Sequence, residues 1–532
     1  MKKIVLMTLS LFSLTAYAQD PYLNNSIVNT SGLYGTSRFV GMGGAMGALG
    51  ADISSMSSNP AGIGLFTKNN ASLTAGVSWL GKNTLDKSNG TFGELDQVGV
   101  VTSFKLPGRI RNINFGFNYQ KKASYDHGFA GEVYTDASWA DQLDVLADEA
   151  KKFYGSDPFY YNTIYGLADD CGLFPWRKED GSKTEVAKTM DDISNTIRFT
   201  RGSLNAYEFN LSMNMDDRYY FGLTVGVDNL DYRCVTDYVE ERYGENGLNH
   251  TFGYINEQRI NGNGFNLKFG TVIRPFDSST FRVGFTVETP TWYYLTYIDD
   301  QSLETKYMYD EASKKFIYNG NGSYTHFVND GAVSGPFIND KDYRIITPWK
   351  VRLQMGSTVG NNFAWGMEYQ FANYPGTTAK FLSNYDDYYA DAGFAQETKN
   401  ILKPQHTLRA GLEFKPHKSI ALRAGYNFIT STTQPDAAWD PIQSDISLLN
   451  VTGLDYMNLS DEHILTVGAG YSHKWFYADI AYMYHYRRGE YYAFNQYDSQ
   501  DVLGVDHSIR IMDPINVNMD RHSIMATIGA RF

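Results

Sequence analysis

The chain has 532 residues and a formal net charge of −13 at pH 7, from 46 lysines and arginines against 59 aspartates and glutamates. This balance argues against nucleic acid as a partner, because phosphate binding needs a basic face. Aromatic residues make up 15% of the chain and 49 residues are glycine, a composition that favours β structure. Past the first twenty residues no apolar run approaches the roughly 18 residues of a membrane helix, which excludes helical spans.

The first eighteen residues have the layout of a targeting segment. Lys2 and Lys3 precede an apolar stretch from Ile4 to Leu14, and Ala16-Tyr17-Ala18 gives the small-x-small pattern that a signal peptidase cleaves. We therefore predict a secretory signal peptide over residues 1–18, with a buried N-terminal helix as the alternative. Because no Cys follows the cleavage site, a lipoprotein is not expected.

Residues 19–70 show no strand pattern. They contain a run of small residues from Gly41 to Ala48, in which Gly41, Gly43 and Gly44 stand close together, and then the tetrad Asn59-Pro60-Ala61-Gly62. A segment of this length buries too little surface to sustain its own core, whereas glycines permit close backbone approach. Folding inside the lumen of a barrel formed by residues 71–532 would supply the missing packing surface.

Alternation of apolar and polar residues then dominates the chain. Ile113, Phe115, Phe117 and Tyr119 are separated by polar or small residues, which predicts a strand with one apolar face. Fourteen segments share this pattern: Leu73–Trp79, Val98–Phe104, Ile113–Tyr119, Tyr207–Met213, Tyr219–Val227, Phe265–Ile273, Phe281–Val287, Trp349–Met355, Phe363–Tyr369, Leu408–Phe414, Ile420–Tyr426, Leu465–Tyr471, Phe476–Tyr484 and Ile524–Phe532.

The positions of the charges distinguish a membrane barrel from a soluble sandwich. A charge that faces lipid at mid-bilayer costs roughly 2 to 4 kcal/mol, and ten charges in or next to the segments lie on the parity opposite to the apolar residues. They are Glu208, Asp228, Lys268, Arg282, Arg352, Glu368, Arg409, Glu413, Arg423 and Asp479. We interpret Glu208, Glu368, Arg352 and Arg409 as a cross-lumen ion-pair network that holds barrel and plug together.

The lengths of the connections provide a second test. Brief turns such as Asp216-Asp217-Arg218 and Gly360-Asn361-Asn362 alternate with long connections, which run over about 81–97, 121–203, 231–262, 291–346, 372–405, 429–462 and 487–521. Short periplasmic turns and long external loops are typical of outer-membrane barrels. The terminal Phe532 ends an aromatic strand and resembles the signal that the outer-membrane assembly machinery recognises. The predicted fold is thus all-β, a 14-stranded antiparallel transmembrane β-barrel.

At the N-terminal segment the residues resemble a known family. Arg38 to Gly62, with the GMGGA run, Asp52 and the NPAG tetrad, is similar to the N-terminal hatch of the FadL/TodX family of outer-membrane transporters of hydrophobic compounds. Two other stretches are also similar to sequences of this family: Pro290-Thr291-Trp292-Tyr293 and Thr347-Pro348-Trp349-Lys350. The resemblance implies a 14-stranded barrel whose lumen holds a hatch, or plug, over residues 19–70. This sequence departs from the common pattern at Ser57-Ser58, where aromatic residues are frequent, and in the length of connection 121–203.

The best candidate gating residues are those of the hatch. Pro60 fixes its backbone and lacks a donor, and the Asn59 side chain can hold a turn, so Asn59 to Gly62 would form a rigid element that seals or opens a passage. Folding of the plug is the alternative. The Gly41 to Gly47 run also mimics a dinucleotide fingerprint, but no strand precedes it.

In the resembled family a defect in the third strand opens a lateral exit to the bilayer. Gly116 interrupts the polar face of that segment, and Asn114 and Asn118 flank it. A glycine inside a strand marks a bulge or the close approach of another part of the chain. Both a lateral opening and simple packing against the hatch are therefore open interpretations.

The long connection 121–203 contains an amphipathic helix pattern. One face of this helix is apolar and carries Leu143, Leu146, Ala150 and Phe153, with Trp139 at the start. This surface would collect a hydrophobic ligand or pack against neighbouring loops.

The two cysteines, Cys171 and Cys234, fall in two predicted external loops, where we expect either a disulfide or two free, buried thiols.

No cluster for catalysis is evident. The ten histidines are scattered, no His or Cys pair has metal-ligand spacing, and no Ser sits in a nucleophile elbow. We therefore predict no enzyme activity, no metal site and no cofactor.

We expect passive uptake of hydrophobic compounds, fatty-acid-like or aromatic, through the lumen and a lateral opening. Expected partners are the ligand, outer-membrane lipid and lipopolysaccharide, and the barrel assembly machinery. The alternative is a scaffold or secretion-accessory barrel that binds another protein through its external loops.

Overall fold

The computed structural model describes most of the chain. The described residues are 27–28, 32–81, 91–135, 137–154, 163–170, 173, 192–243, 249–305, 307–310, 315–318, 325–328, 341–381, 387–440, 451, 453–497, 509–510 and 512–532. The predicted signal peptide, residues 1–18, lies outside them. No described helix has the length and hydropathy needed to cross a membrane.

Strands dominate the described part of the chain. The first twelve are β1 (Asn70–Leu80), β2 (Thr91–Lys105), β3 (Ile110–Ser124), β4 (His127–Thr135), β5 (Asp192–Met215), β6 (Tyr219–Tyr243), β7 (Asn249–Ile273), β8 (Arg282–Glu288), β9 (Trp292–Thr305), β10 (Tyr307–Asp310), β11 (Lys315–Tyr318) and β12 (Thr325–Val328). The others are β13 (Lys341–Ile346), β14 (Lys350–Val359), β15 (Phe363–Ala372), β16 (Thr378–Phe381), β17 (Gln405–His417), β18 (Ile420–Ile429), β19 (Tyr456–His473), β20 (Phe476–Tyr492), β21 (Gln496–Tyr497), β22 (Ile509–Arg510), β23 (Ile515–Asn518) and β24 (Arg521–Arg531).

Helices are few and short. They are α1 (Ser37–Gly41), α2 (Ser55–Ser58), α3 (Trp139–Tyr154), α4 (Ile164–Asp170) and α5 (Asp387–Ile401), with 3₁₀ turns at Pro60–Leu65 and Tyr374–Gly376. The helices α1 and α2 belong to the N-terminal segment. The other three lie in connections between strands.

Fourteen of the described strands close into one antiparallel barrel. Their order around the barrel is β1, β2, β3, β5, β6, β7, β8, β14, β15, β17, β18, β19, β20 and β24. Closure comes from β24, which pairs with β1 from Asn70↔Arg531 to Leu80↔Arg521. The predicted strand number is therefore confirmed, and each predicted segment falls on one of these strands.

The outward face of the barrel carries the predicted apolar residues. Leu73, Phe209, Leu353, Leu412 and Ile528 are each at least 42% exposed. The charges predicted for the opposite parity point inward, and Glu208, Lys268 and Glu368 are buried. This arrangement gives an apolar belt with aromatic residues at both rims, as a bilayer requires.

Short turns close one end of the barrel, as predicted. Asp216 and Asp217 both have positive φ, 57° and 53°, and lie in the tight three-residue turn that connects β5 to β6. Gly360 adopts φ +58° between β14 and β15. Asx residues and glycine tolerate this left-handed conformation better than other residues do.

The long connections at the other end are partly strand, which corrects the predicted loop over 231–262. β6 continues to Tyr243 and β7 starts at Asn249, and the two pair without interruption. Beyond Val227 the apolar parity changes sides: Leu230, Tyr232 and Tyr238 are buried inside, while Asp231 and Arg233 face outward. The reason is physical, since outside the bilayer the buried face of a sheet is its inner one.

Three prolines interrupt strands at the outer rim of the barrel. Pro290 separates β8 from β9, Pro348 separates β13 from β14, and Pro375 separates β15 from β16. Thr291 and Thr347 bond to each other across the first two breaks, with backbone N to backbone O at 3.1 Å. Proline cannot donate to a ladder, so the outer strands β9, β13 and β16 form a separate, tilted continuation of the wall.

Candidate functional site

Residues 32–66, here called the lumenal segment, contact the inward faces of the strands. The NPAG tetrad lies near its C-terminal end, and all four residues are buried. The Asn59 side chain accepts from Ala61 N at 3.0 Å and donates to Thr271 O at 3.1 Å and Gln354 Oε1 at 2.9 Å. Asn59 therefore caps the 3₁₀ turn that begins at Pro60 and also ties the turn to β7 and β14.

The small-residue run packs against the opposite part of the wall. Gly43 and Gly44 adopt φ +60° and +75°, a conformation that side chains with a Cβ rarely adopt. A Cβ on Gly43 would lie 2.9 Å from Ala410 O and 3.0 Å from Tyr426 N. The run thus lets the backbone of the lumenal segment touch the strand backbone of β17 and β18.

Glycines of the wall itself complete this fit, and the sequence reasoning missed them. A Cβ at any of these inward positions would lie closer than 3.0 Å to atoms of the lumenal segment: Gly116, Gly222, Gly270, Gly366, Gly411 and Gly425. They lie on six different strands, and the partner atoms belong to residues from Met42 to Ala61. We call these six residues the glycine belt. Each looks like an ordinary strand glycine in the sequence, and only the closed register brings them to one level.

Ion pairs tie the lumenal segment to the wall at one place. Arg38 Nε lies 3.3 Å from Glu413 Oε2, and Glu413 also pairs with Arg423 at 2.7 Å. Arg423 reaches Asp479 at 2.6 Å. The predicted network of Glu208, Glu368, Arg352 and Arg409 forms pairs between strands instead, Glu208 with Lys268 at 2.5 Å and Glu368 with Arg409 at 2.5 Å.

The residues proposed for a lateral opening lie on an intact strand in this structure. Gly116 pairs with Val101 of β2 and with Asn210 of β5. Asn114 is buried and donates to Ile63 O at 2.6 Å, and the place of the missing Gly116 side chain is taken by Met56. Contact with the lumenal segment therefore accounts for these residues in this conformation, and an opening here stays a prediction.

The amphipathic helix is present as α3, but its apolar face is not exposed. Trp139, Leu143 and Leu146 are buried against the outer continuations of β6 and β7, with the Trp139 ring 4.9 Å from the Tyr254 ring. The Glu240 carboxylate accepts from Trp139 N at 2.9 Å and holds the start of the helix. Phe153 lies in its last turn. In this conformation the face is packed, so a role in collecting ligand stays a prediction.

The structure describes one of the two cysteines. Cys234 is a free, buried thiol in β6, rather than a loop residue, and burial raises its pKa. Cys171 lies outside the described residues. Among the described residues no group of three or more His, Cys, Asp or Glu is arranged to hold a metal ion. Phe532 follows β24, is 67% exposed, and its backbone pairs with Asn69.

A cavity of about 170 Å³ lies on the outer side of the lumenal segment. Gly32, Leu33 and Tyr34 form its floor, and Ile464, Met483 and Met457 contribute an apolar wall. Polar groups line the same cavity: Arg198 pairs with Asp455, Arg487 lies 3.5 Å from Glu462, and Arg521 donates to Tyr34 Oη at 3.2 Å. We call this space the outer cavity. Its mixed lining suits a molecule with an apolar body.

A second cavity, of about 340 Å³, opens on the other side of the lumenal segment. Its lining is mainly polar or charged and includes Arg38, Asp52, Glu413 and Arg423. Asp52 accepts from the Thr36 hydroxyl at 2.8 Å and from Ser54 N at 3.0 Å. The lumenal segment therefore separates a partly apolar outer space from a polar one near the short turns.

His127 lines the outer cavity from β4, beyond the apolar belt, and gives a pH-dependent prediction. Burial lowers its pKa to about 4 from the ordinary 6.5. Between these two values the unfolded chain binds a proton that the folded chain does not, so the free energy of unfolding should decrease as pH falls from 6.5 to 4. In His127→Phe that contribution should vanish, which urea unfolding at several pH values measures. A difference between the two proteins that is equal at pH 4 and pH 8 would contradict this.

Comparisons with known proteins give structures only. No family model and no curated relative matches the sequence. Among the solved structures, a FadL homologue of Pseudomonas aeruginosa is 13% identical, with 95% of this chain and 99% of that chain covered and a TM-score of 0.48. The toluene transporter TodX of Pseudomonas putida is 12% identical, with 94% and 99% covered and a TM-score of 0.44. The CymD monoaromatic hydrocarbon channel is 9% identical, with 94% and 99% covered and a TM-score of 0.46.

This chain is similar to barrels of the FadL/TodX type. The GMGGA run and the NPAG tetrad resemble the N-terminal hatch of the same family.

Proposed function

We propose that the chain is an outer-membrane channel for passive uptake of hydrophobic compounds, either fatty-acid-like or aromatic. The observation that carries the proposal is the outer cavity, enclosed in a closed barrel and floored by the lumenal segment. Binding sites for apolar molecules are concave and mostly apolar, with a few polar groups that orient the ligand. The outer cavity has this composition.

The exterior of the barrel supports a membrane location. Exposed large side chains such as Phe115, Leu211, Met367 and Val467 would cost free energy in water, roughly 25 cal/mol per Å² of apolar surface. Strands can cross a bilayer only when every backbone group is paired, which closure of the sheet provides. An exported barrel of this kind belongs in an outer membrane, in contact with lipid and lipopolysaccharide.

Passage from the outer cavity requires the lumenal segment to move. Asn59, Pro60, Ala61 and Gly62 would act as the rigid element of a hatch over residues 19–70, because they form one capped turn with contacts to two strands. A compound released beside β3 would meet Asn114, Gly116 and Asn118, where withdrawal of Met56 would leave a gap beside the small Gly116. No energy source is implied in this scheme, since a hydrophobic solute partitions spontaneously into a bilayer.

Reconstituted vesicles test the uptake proposal. Vesicles that contain the protein should take up a labelled long-chain fatty acid or an aromatic hydrocarbon faster than protein-free vesicles, without an added energy source. A variant with the Asn59→Ala substitution, which loses the cap and both ties to the wall, separates an effect of the hatch from leakage through bilayer defects. Equal uptake rates with and without protein would reject the proposal.

A scaffold function is the second candidate, and the outer strand continuations favour it. β5, β6 and β7 extend well past the apolar belt, and their outer face carries Arg233, Glu257 and Arg259 in a surface ion-pair cluster with Ile255 exposed beside it. Such a surface could bind another protein. Affinity purification in mild detergent tests this idea, because a scaffold should retain a partner chain in a fixed ratio, whereas a channel should be recovered alone.

A further inference from the structure

A third cavity, of about 90 Å³, lies within the barrel and shares Gly32, Leu33 and Tyr34 with the lining of the outer cavity. Its lining is unusually basic. Among the described residues, Glu288 is the one carboxylate in this lining. Six cationic side chains face the cavity from four strands: Lys121, Lys122, Lys268, Lys350, Arg352 and Arg409. We call this space the basic cavity.

Most of these cations have a carboxylate of their own. The pairs are Lys121 with Glu94 at 3.2 Å, Lys122 with Asp228 at 2.8 Å, Lys268 with Glu208 at 2.5 Å and Arg409 with Glu368 at 2.5 Å. The remaining two cations share one partner. Lys350 Nζ lies 3.9 Å from Glu288 Oε1, and Arg352 Nη2 lies 2.7 Å from Glu288 Oε2. Counted by these ion pairs alone, the six cations share five carboxylates.

The excess positive charge has a defined location at Arg352. Its Nε donates to Gln370 Oε1 at 2.7 Å and its Nη2 donates to Glu288, but Nη1 has no hydrogen-bond partner among the described residues. Arg352 is only 7% exposed. A buried donor without a partner costs free energy, and a buried charge without compensation costs more.

We propose that the basic cavity binds a small oxyanion, with Arg352 Nη1 and Lys350 Nζ as its donors. One monovalent oxyanion would neutralise the excess charge and satisfy the open donor. Guanidinium groups recognise phosphate and carboxylate oxygens in a planar, directional manner. The cavity has space for roughly six water-sized centres, which fits an ion or a headgroup, and its Phe39 and Leu33 edges keep that group away from bulk water.

The site does not depend on the proposed uptake function. A bound anion would cross-link β14 to the neighbouring strands and would stabilise the wall beneath the lumenal segment, whether or not a compound passes. The same chemistry could come from free phosphate or from the phosphate of an amphiphile. The two sources differ in one respect. An amphiphile has an alkyl chain that would add contacts with apolar residues such as Leu33 and Phe39, whereas free phosphate has none.

Isothermal titration of the detergent-solubilised full chain with inorganic phosphate, in chloride buffer, tests the proposal. We expect one site per chain in the wild type and at least tenfold weaker binding in Arg352→Gln, a loss of about 1.4 kcal/mol. Lys350→Gln leaves the Arg352–Glu288 pair intact and should also weaken binding. Lys418→Gln removes a cation of the wall that lines the second cavity instead, so it is the matched control and should bind phosphate as the wild type does.

Hexyl phosphate distinguishes the two sources. Affinity equal to that of phosphate would indicate a free ion, and affinity at least tenfold higher, still dependent on Arg352, would indicate a headgroup. Folding of each variant is checked by circular dichroism, and Lys350→Gln keeps the test valid if Arg352→Gln does not fold. Absence of binding by both probes, or binding that persists unchanged in Arg352→Gln and Lys350→Gln, would overturn the proposal. If the variants fail to bind phosphate but their vesicles take up the hydrophobic compound at the wild-type rate, only the anion site has failed and the uptake proposal stands.

Discussion

Adding one methyl group at Gly411 is expected to displace the lumenal segment from the wall. A Cβ on Gly411 would overlap Met42 O and lie 2.8 Å from the Met42 carbonyl carbon, so backbone rather than a flexible side chain must move. Overpacking of this kind costs roughly 1 to 3 kcal/mol. We expect Gly411→Ala to raise ion conductance through planar bilayers severalfold, because the lumenal segment no longer fills the bore.

A matched substitution separates displacement from a general effect of adding side chains to strands. Gly93 lies in β2, and nothing lies within 4 Å of a Cβ built there. Gly93→Ala should therefore conduct like the wild type. If Gly411→Ala also left conductance and stability unchanged, the claim that the glycine belt packs tightly against the lumenal segment would be wrong.

A tryptophan at position 464 is expected to close the outer cavity. Ile464 is 1% exposed and lines the cavity from β19, where an indole would occupy much of the 170 Å³. Binding of a fluorescent fatty-acid analogue to the purified protein should weaken at least tenfold, which corresponds to about 1.4 kcal/mol. The measurement is a fluorescence titration in detergent.

The neighbouring residue provides the control for this prediction. Leu465 is 52% exposed on the outward face of the same strand, so Leu465→Trp adds the same bulk on the opposite side of the wall. Tryptophan is tolerated at such lipid-facing positions near the rim. Equal loss of binding in both variants would indicate a general disturbance of β19, and unchanged binding in Ile464→Trp would place the ligand elsewhere.

The barrel was predictable because two independent patterns agree over most of the chain. Alternation assigns each side chain to one face, and the bilayer forbids charges such as Glu368 and Arg409 on the outward face. The same rule fails beyond the bilayer. In β6 the apolar parity passes from Val227 to Leu230, so a search for one continuous apolar face ends the strand too early.

Features that depend on closure could not be predicted. Gly222 and Gly411 come to face the lumenal segment only after six strands have aligned, namely β6, β7, β8, β14, β15 and β17. Their spacing along the chain carries no such information. The basic cavity is similar, since Lys121, Lys268 and Arg352 lie far apart in sequence and each looks like an ordinary lumenal charge.

The tetrad illustrates how far local chemistry extends. Proline and an Asx residue predict a capped turn, and Asn59 does cap the turn that starts at Pro60. The partners across the lumen, Thr271 and Gln354, follow from tertiary packing alone. Local sequence thus determines the shape of the turn, whereas its attachment to β7 and β14 depends on contacts that the sequence does not encode locally.

Native mass spectrometry of the gently extracted protein tests the central claim most directly. If the barrel is a channel whose outer cavity binds hydrophobic compounds, the wild type should retain one lipid-like molecule per chain, and Ile464→Trp should lose it while Leu465→Trp keeps it. A wild-type mass equal to that of the bare polypeptide, together with a partner chain in fixed ratio, would contradict the account and favour the scaffold function.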